Sequence, residues 1–228
     1  ALGDTIVDSL PLVRDAVREA KNVLLEGQLA ALRDLDWGTY PYVTSSNPTA
    51  AGLCQGAGIA PRHLGDVIGV AKAYTTAVGA GPFPTELHDA TGARLRDVGQ
   101  EFGASTGRPR RCGWYDAVAV GHSAWLNGFS HLAITKMDVL DGFDELRVCV
   151  AYEVDGQQVT TLPDTPVMER ATPVYETWPG WREPTTRARR WSDLPATARR
   201  YVERLAELAR TPVRFVSVGP QREAMIQL

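Results

Sequence analysis

No stretch of the 228 residues approaches the ~20 consecutive apolar residues of a membrane span, and no basic segment followed by an apolar one opens the chain as a secretory leader would. Lysine is scarce: the 24 basic residues include only Lys21, Lys72 and Lys136. Against 27 acidic residues this leaves a formal net charge of -3, which argues against wholesale binding to nucleic acid or to an anionic membrane. Cysteine stands only at 54, 112 and 149, a spacing that fits no metal or disulfide framework and reads as reduced thiols in a cytoplasmic protein. The histidines at 63, 88, 122 and 131 lack metal-ligand spacing. Neither a Gly-X-Ser-X-Gly elbow nor a Gly-rich Walker loop is present, so nothing in the sequence would hold a nucleotide triphosphate and its magnesium. What is there, 44% hydrophobic residues and 22% charged ones, fits a soluble globular protein of one large domain or two small ones, long enough to bury a core. The chain opens on Ala1 and not on Met, so its given start is expected to differ from the natural one.

Hydrophobic periodicity predicts a helix over 8–22, through Leu10, Leu12, Val13, Ala16, Val17 and Ala20. Asn22 to Gly27 reads as a short buried strand, and 34–60 as a long irregular segment. The apolar pattern resumes over 61–76 until Gly79-Ala80-Gly81-Pro82 breaks it. A helix is expected over 88–102, a loop from Gly103 to Gly113, a buried helix over 115–128 and a strand from His131 to Thr135. Residues 145–154 and 157–161 alternate around Asp155-Gly156, a hairpin signal. Residues 163–191, rich in Pro and Trp, read as irregular. Ser192 to Pro195 opens a last helix with the stripe Ala198, Tyr201, Val202, Leu205 and Leu208, and Val213 to Val218 is a last strand. The fold expected is α/β, a mainly parallel central sheet flanked by helices with an antiparallel hairpin, as a single domain over 1–228.

Three polar loops carry candidate chemistry. Thr44-Ser45-Ser46 could hold a phosphate through hydroxyls and backbone N–H groups, although such runs are commoner as plain turns. Gly103 to Arg111 sets Arg108, Arg110 and Arg111 beside Ser105 and Thr106. Arginine forks suit carboxylate or phosphate, although a solvated basic loop has the same composition. In Thr135-Lys136-Met137-Asp138 a strand-end carboxylate could accept hydrogen bonds from the N1–H and 2-amino group of a guanine, with the lysine stem over the base. The bland reading of Lys-X-Asp is a surface ion pair.

Longer segments resemble the adenylosuccinate synthetase family: Gly38-Thr39-Tyr40-Pro41-Tyr42-Val43-Thr44-Ser45-Ser46-Asn47, Val78 through Glu86, Glu101-Phe102-Gly103 through Trp114, Thr135 through Gly142, Val150-Ala151-Tyr152, Tyr175-Glu176-Thr177 with Pro179-Gly180-Trp181, and Ser217-Val218-Gly219-Pro220. They keep the family's order from about residue 5 to the end and correspond to its C-terminal half. The resemblance implies GTP-dependent ligation of IMP and L-aspartate to adenylosuccinate, in AMP biosynthesis, with GTP as substrate and magnesium required. It implies IMP binding at Thr44, Val78 and Arg108, and aspartate binding at Ser105, Thr106, Arg108 and Arg110. GTP would be held by Arg110, Lys136, Asp138, Ser217 and Gly219.

The family's phosphate loop, catalytic base, histidine and magnesium ligands belong to its other half, so this chain is expected to have no catalytic residue of its own. It should need a partner, either that N-terminal half or a homodimer mate, because phosphoryl transfer depends on charge and metal at the transferring group. Departures from the family pattern fall at Leu29, where its glutamine stands, at Trp37, where it has histidine, at Ala77 and at Gly121-His122. They leave an alternative open, that of a non-catalytic nucleotide-binding relic or a regulatory partner of a full-length synthetase.

Overall fold

The computed structural model describes residues 2–228, which fall into two units, 2–67 and Ile68–Leu228. In the first, helix α1 (Ser9–Arg18) starts where the Asp8 carboxylate accepts the Leu10 N–H at 3.1 Å. Its apolar residues recur at helical spacing, yet none of its residues is buried. Helix α2 (Ala50–Ala57) is capped by Thr49, whose hydroxyl accepts the Gly52 N–H at 3.2 Å, and by Gly58 in the left-handed conformation. It lies inside the stretch expected to be irregular. Its Ala/Gly-rich body carries little periodicity, and only the caps mark it. The strand expected over 22–27 does not form, and Leu24 is 90% exposed. A strand needs a neighbour for its backbone groups, and no strand is present among the described residues of this unit.

The second unit is built on a sheet of strands β1 (Ile68–Lys72), β5 (His131–Thr135), β9 (Val213–Ser217) and β10 (Met225–Gln227), in the order β1-β5-β9-β10. The first three run parallel, Ile68 facing His131 and Leu132 facing Val213, and β10 returns antiparallel. Between β1 and β5 lie β2 (Thr75–Ala77), paired antiparallel with β3 (Arg111–Gly113), helix α3 (Ala90–Val98), strand β4 (Tyr115–Asp116) and helix α4 (Ala117–Asn127). This gives the expected mainly parallel sheet with helices.

A second sheet forms around β6 (Phe143–Val154), which pairs with β4 and β7 (Gln157–Val159), the latter through the hairpin at Asp155-Gly156. Both turn residues have positive φ, as such a tight turn requires. A short helix, α5 (Thr165–Met168), leads to β8 (Thr172–Trp181), antiparallel to β6 from Phe143–Trp181 to Glu153–Thr172. The irregular segment expected over 163–191 is therefore about one third strand, preceded by a short helix. Pro173 and Pro179 hide it from a propensity reading, and they are tolerated because β8 pairs with β6 alone.

Helix α6 (Ala196–Ala209) packs on β8, β9 and α4, and α4 packs on β1 and β6. The two helices thus contact both sheets and join them into one core, with Leu132, Ile134, Leu140, Leu146, Tyr201, Leu205 and Val216 fully buried. Tyr201 keeps its hydroxyl satisfied by donating to the Ala73 carbonyl at 2.8 Å. Leu205→Ala is expected to cost about 3 kcal/mol of stability. Leu24→Ala in the first unit should change it by less than ~0.5 kcal/mol. Urea unfolding of both variants checks the pair, and equal losses would contradict this placement of the core.

Candidate functional site

Because β1, β5 and β9 run parallel, their carboxyl ends, at Lys72, Thr135 and Ser217, open on the same edge of the sheet. In open α/β sheets ligands gather at such an edge. A cleft of about 360 Å³ lies there, walled by Gly99 and Gln100 after α3, by Lys136, Asp138 and Val139 after β5, and by Ser217, Gly219 and Pro220 after β9. Four of the residues singled out in the sequence, Lys136, Asp138, Ser217 and Gly219, share this wall.

Lys136 takes the left-handed conformation directly after β5, and its Nζ donates to the Gly99 carbonyl. Asp138 is half-buried in the 3-10 turn that follows. Burial pushes its carboxyl above the usual aspartate range, and Asp141 adds to this while Lys136 opposes it. On the facing strand end, the Ser217 hydroxyl donates to the Gly219 carbonyl at 2.8 Å and closes the turn tightly. A carboxylate lining a largely apolar cleft beside an alkyl-ammonium stem can accept two parallel donors from a planar ring laid on that stem.

Beneath the cleft lies a residue to which the sequence reading assigned no role. Glu101 has no exposure to water. Its Oε1 accepts the Tyr74 hydroxyl at 2.6 Å, and its Oε2 accepts Lys72 Nζ at 2.7 Å and Arg110 Nη1 at 2.8 Å. Lys136 Nζ stands 3.6 Å from Oε1. Burial alone would raise the Glu101 carboxyl, but the hydrogen bonds from Lys72 and Tyr74 and the charges of Lys72 and Lys136 outweigh it and hold the carboxyl below the usual glutamate range. Lys72 is lowered chiefly by burial, with Glu101 opposing. The signal available in the sequence was the scarcity of lysine: two of the three converge on this carboxylate.

The arginine loop springs from the same point. Glu101 and Arg110 are joined by the Arg110 N–H to Glu101 carbonyl bond at 2.9 Å, and Gly103 N–H donates to the Arg108 carbonyl at 2.8 Å. Gly107 turns the tip with positive φ. Ser105, Thr106 and Arg108 are exposed there, while Arg110 is drawn down to Glu101 at the base. Val78, 54% exposed, sits on a separate loop. Arg111, paired with Glu86, holds that loop by donating to the carbonyls of Gly79 at 3.2 Å and Gly81 at 2.9 Å. Neither Glu86 nor Arg111 was assigned this role from sequence.

Thr44 belongs to the first unit. Its N–H donates to the Arg33 carbonyl at 2.9 Å and its hydroxyl lies 3.1 Å from that of Ser46. Gly38, in the turn before it, has room for no side chain, since a Cβ would stand 2.4 Å from the Asp34 and Leu32 carbonyl oxygens. Leu29 and Trp37 are each 62% exposed, Leu29 with positive φ, and Ala77 ends β2. Among the described residues no group of three or more histidine, cysteine or carboxylate side chains could hold a metal ion, and no helix is long and apolar enough to cross a membrane.

Residues 1–226 match the sequence model of the adenylosuccinate synthetase family. Among relatives, the adenylosuccinate synthetase of Magnetococcus marinus is 51% identical over 94% of this chain and 50% of its own length. That of Acidothermus cellulolyticus is 53% identical over 98% and 53%, and the chloroplastic enzyme of Zea mays 51% identical over 97% and 46%. The chain spans about half the length of these relatives. The solved structure of fully ligated adenylosuccinate synthetase from Plasmodium falciparum superposes with a TM-score of 0.96 at 39% identity, covering 100% of this chain and 55% of that one. Cyanophage S-2L succinoaminodeoxyadenylate synthetase, at 17% identity, TM-score 0.57 and coverage of 97% and 50%, shares the fold.

The Glu101 cluster has a consequence for acid stability. A carboxyl lowered on folding contributes stability that is complete above its unfolded pKa and is lost as pH falls through the lower folded value. Glu101→Gln is expected to cost about 3 kcal/mol at neutral pH, since it leaves buried cations unmatched. The gap should close as the solution is acidified below the ordinary glutamate range. Chemical unfolding at a series of pH values reads this, and a gap that widens toward acid would contradict it.

Proposed function

As the chain belongs to the adenylosuccinate synthetase family, we propose that it supplies the guanine and aspartate sites, and part of the IMP site, of a GTP-dependent ligase that joins IMP to L-aspartate. The observation that carries this reading is the cleft where Lys136 and Asp138 meet Ser217 and Gly219. Guanine offers two donors on one edge, at N1 and the 2-amino group, and the Asp138 carboxylate accepts both. Adenine presents a lone pair at N1 and no 2-amino group, so it would leave the carboxylate unmatched, and a site built around a polar partner rejects such an analogue strongly. The Lys136 stem lies against the base, and the turn closed by Ser217 and Gly219 bounds it on the opposite strand end.

On the arginine loop, the Arg108 and Arg110 guanidinium forks hold the carboxylates of aspartate, with the Ser105 and Thr106 hydroxyls completing the cradle. Arg110 also contributes to GTP binding, and Arg108 reaches the IMP ribose. Thr44 holds the 5′-phosphate of IMP and Val78 lines its pocket. In the family reaction GTP phosphorylates the 6-oxygen of IMP, and the aspartate amine then displaces that phosphate to form adenylosuccinate. Magnesium supplies charge neutralisation at the transferring phosphoryl group when bound. This chain's part is to bind and orient, and the phosphoryl-transfer groups come from a partner segment. The exposed apolar residues of the first unit support such a partner, Leu10 at 54%, Leu12 at 62% and Leu24 at 90%, since they form no core within this chain. A second reading, nucleotide binding without turnover, is favoured by Leu29 standing where the family has glutamine.

Two measurements check these assignments. Asp138→Asn is expected to weaken GDP binding by about tenfold or more and to erase most of the preference over ADP, as read by calorimetry. In the wild type, GDP affinity should fall on acidification through the raised Asp138 pKa, at a higher pH than an ordinary aspartate would give, because only the ionised form accepts both donors. A D138N variant that still prefers GDP sinks the guanine assignment. Mixing the chain with an N-terminal half of a relative should yield adenylosuccinate from IMP, aspartate and GTP. Association without product would favour the second reading, and neither association nor product would overturn the partner proposal.

A further inference from the structure

We infer that Glu101 is a positioning residue for guanine recognition, acting through the Lys136 ammonium, and that the same carboxylate anchors Arg110 at the base of the arginine loop. The inference rests on the reading of the cleft as a guanine site. Its basis is the geometry of the cluster. Lysine has four rotatable side-chain bonds, so a stem that must lie along a cleft wall needs its head held. The Lys136 head is held from two sides, by the Gly99 carbonyl and by Glu101 Oε1 at 3.6 Å. The arrangement is tight. Gly99 could carry no side chain, because a Cβ would lie 2.3 Å from the Tyr74 hydroxyl, the group that donates to Glu101 Oε1 at 2.6 Å.

A carboxylate serving only the fold would need a single partner to be neutralised. Glu101 instead faces Lys72, Arg110 and Lys136, three cations to one anion, with Lys72 itself fixed by a 2.8 Å bond to the Thr76 hydroxyl. Of those three cations, Lys136 lines the cleft and Arg110 stands at the base of the arginine loop. Removing the carboxylate therefore has three effects. It costs stability, it releases Arg110, and it frees the Lys136 head to leave the wall. Only the last depends on the ammonium of Lys136, and this separates a positioning role from a structural one.

The test is a double-mutant cycle read by calorimetric titration of GDP into the 228-residue chain. Lys136→Met keeps the apolar stem against the base and removes the ammonium, so binding stays measurable. Glu101→Gln is expected to weaken GDP binding by about tenfold in the wild-type background and by about threefold or less in the K136M background, where only the Arg110 anchor is lost. Circular dichroism confirms that each variant is folded at the titration temperature. Equal weakening in both backgrounds, or none in the wild type, overturns the proposal and leaves Glu101 a structural residue. Should the unsubstituted chain bind no GDP, the guanine reading of the cleft fails, and this inference with it. If E101Q does not fold, Tyr74→Phe enters the same cycle. It removes one hydrogen bond to Oε1 and leaves every charge in place, with weakening of about threefold expected in the wild-type background alone. An additive effect there overturns the proposal equally.

Discussion

A carboxylate shut away from water must be matched by positive charge, and Glu101 meets that demand by gathering Lys72 and Tyr74, Arg110, and Lys136 from three separate segments to its own. The end of β1, the turn after α3, the base of the arginine loop and the residue after β5 are thereby drawn to one point beneath the cleft. The parallel sheet makes this possible by bringing the carboxyl ends of its strands to a common edge. The core formed by α4 and α6 against both sheets holds that edge rigid, which a site built from long side chains requires.

The two units contrast sharply in how they are built. The second buries Tyr74, Tyr115, Tyr152 and Tyr201 with a full complement of aliphatic residues. The first leaves every residue of α1 unburied and depends on capping, on the Asp34 turn and on the close approach at Gly38. The apolar face of α1 is partly covered, with Val13, Ala16 and Val17 half-buried and Leu10 and Leu12 exposed.

Legibility in the sequence followed the range of the interactions. Strand β5 and the Lys136-Met137-Asp138 triplet were readable because an apolar run, a strand end and a polar pair lie within a few residues. The β6–β7 hairpin was readable because Asp155-Gly156 specifies its own turn. Strand β8 was hidden because its prolines are acceptable only on a strand paired along one edge, a fact of topology that local propensity does not carry. The apolar run at 22–27 misled in the opposite direction, since hydrophobicity without a neighbouring strand makes no sheet. Glu101 stayed hidden for the same reason on a longer scale. Its partners stand 27 and 29 residues before it, 9 after it and, at Lys136, beyond the next helix, so no spacing rule could connect them.

The edge where β5 and β9 end is the proposed guanine nucleotide site. Backbone amide chemical-shift mapping of the isotope-labelled chain during titration with GDP addresses it most directly. The account predicts shifts concentrated at residues 99–101, 135–139 and 217–220, with ADP producing far smaller changes at the same amides. Shifts of equal size with both nucleotides, or shifts confined to other parts of the chain, would contradict it.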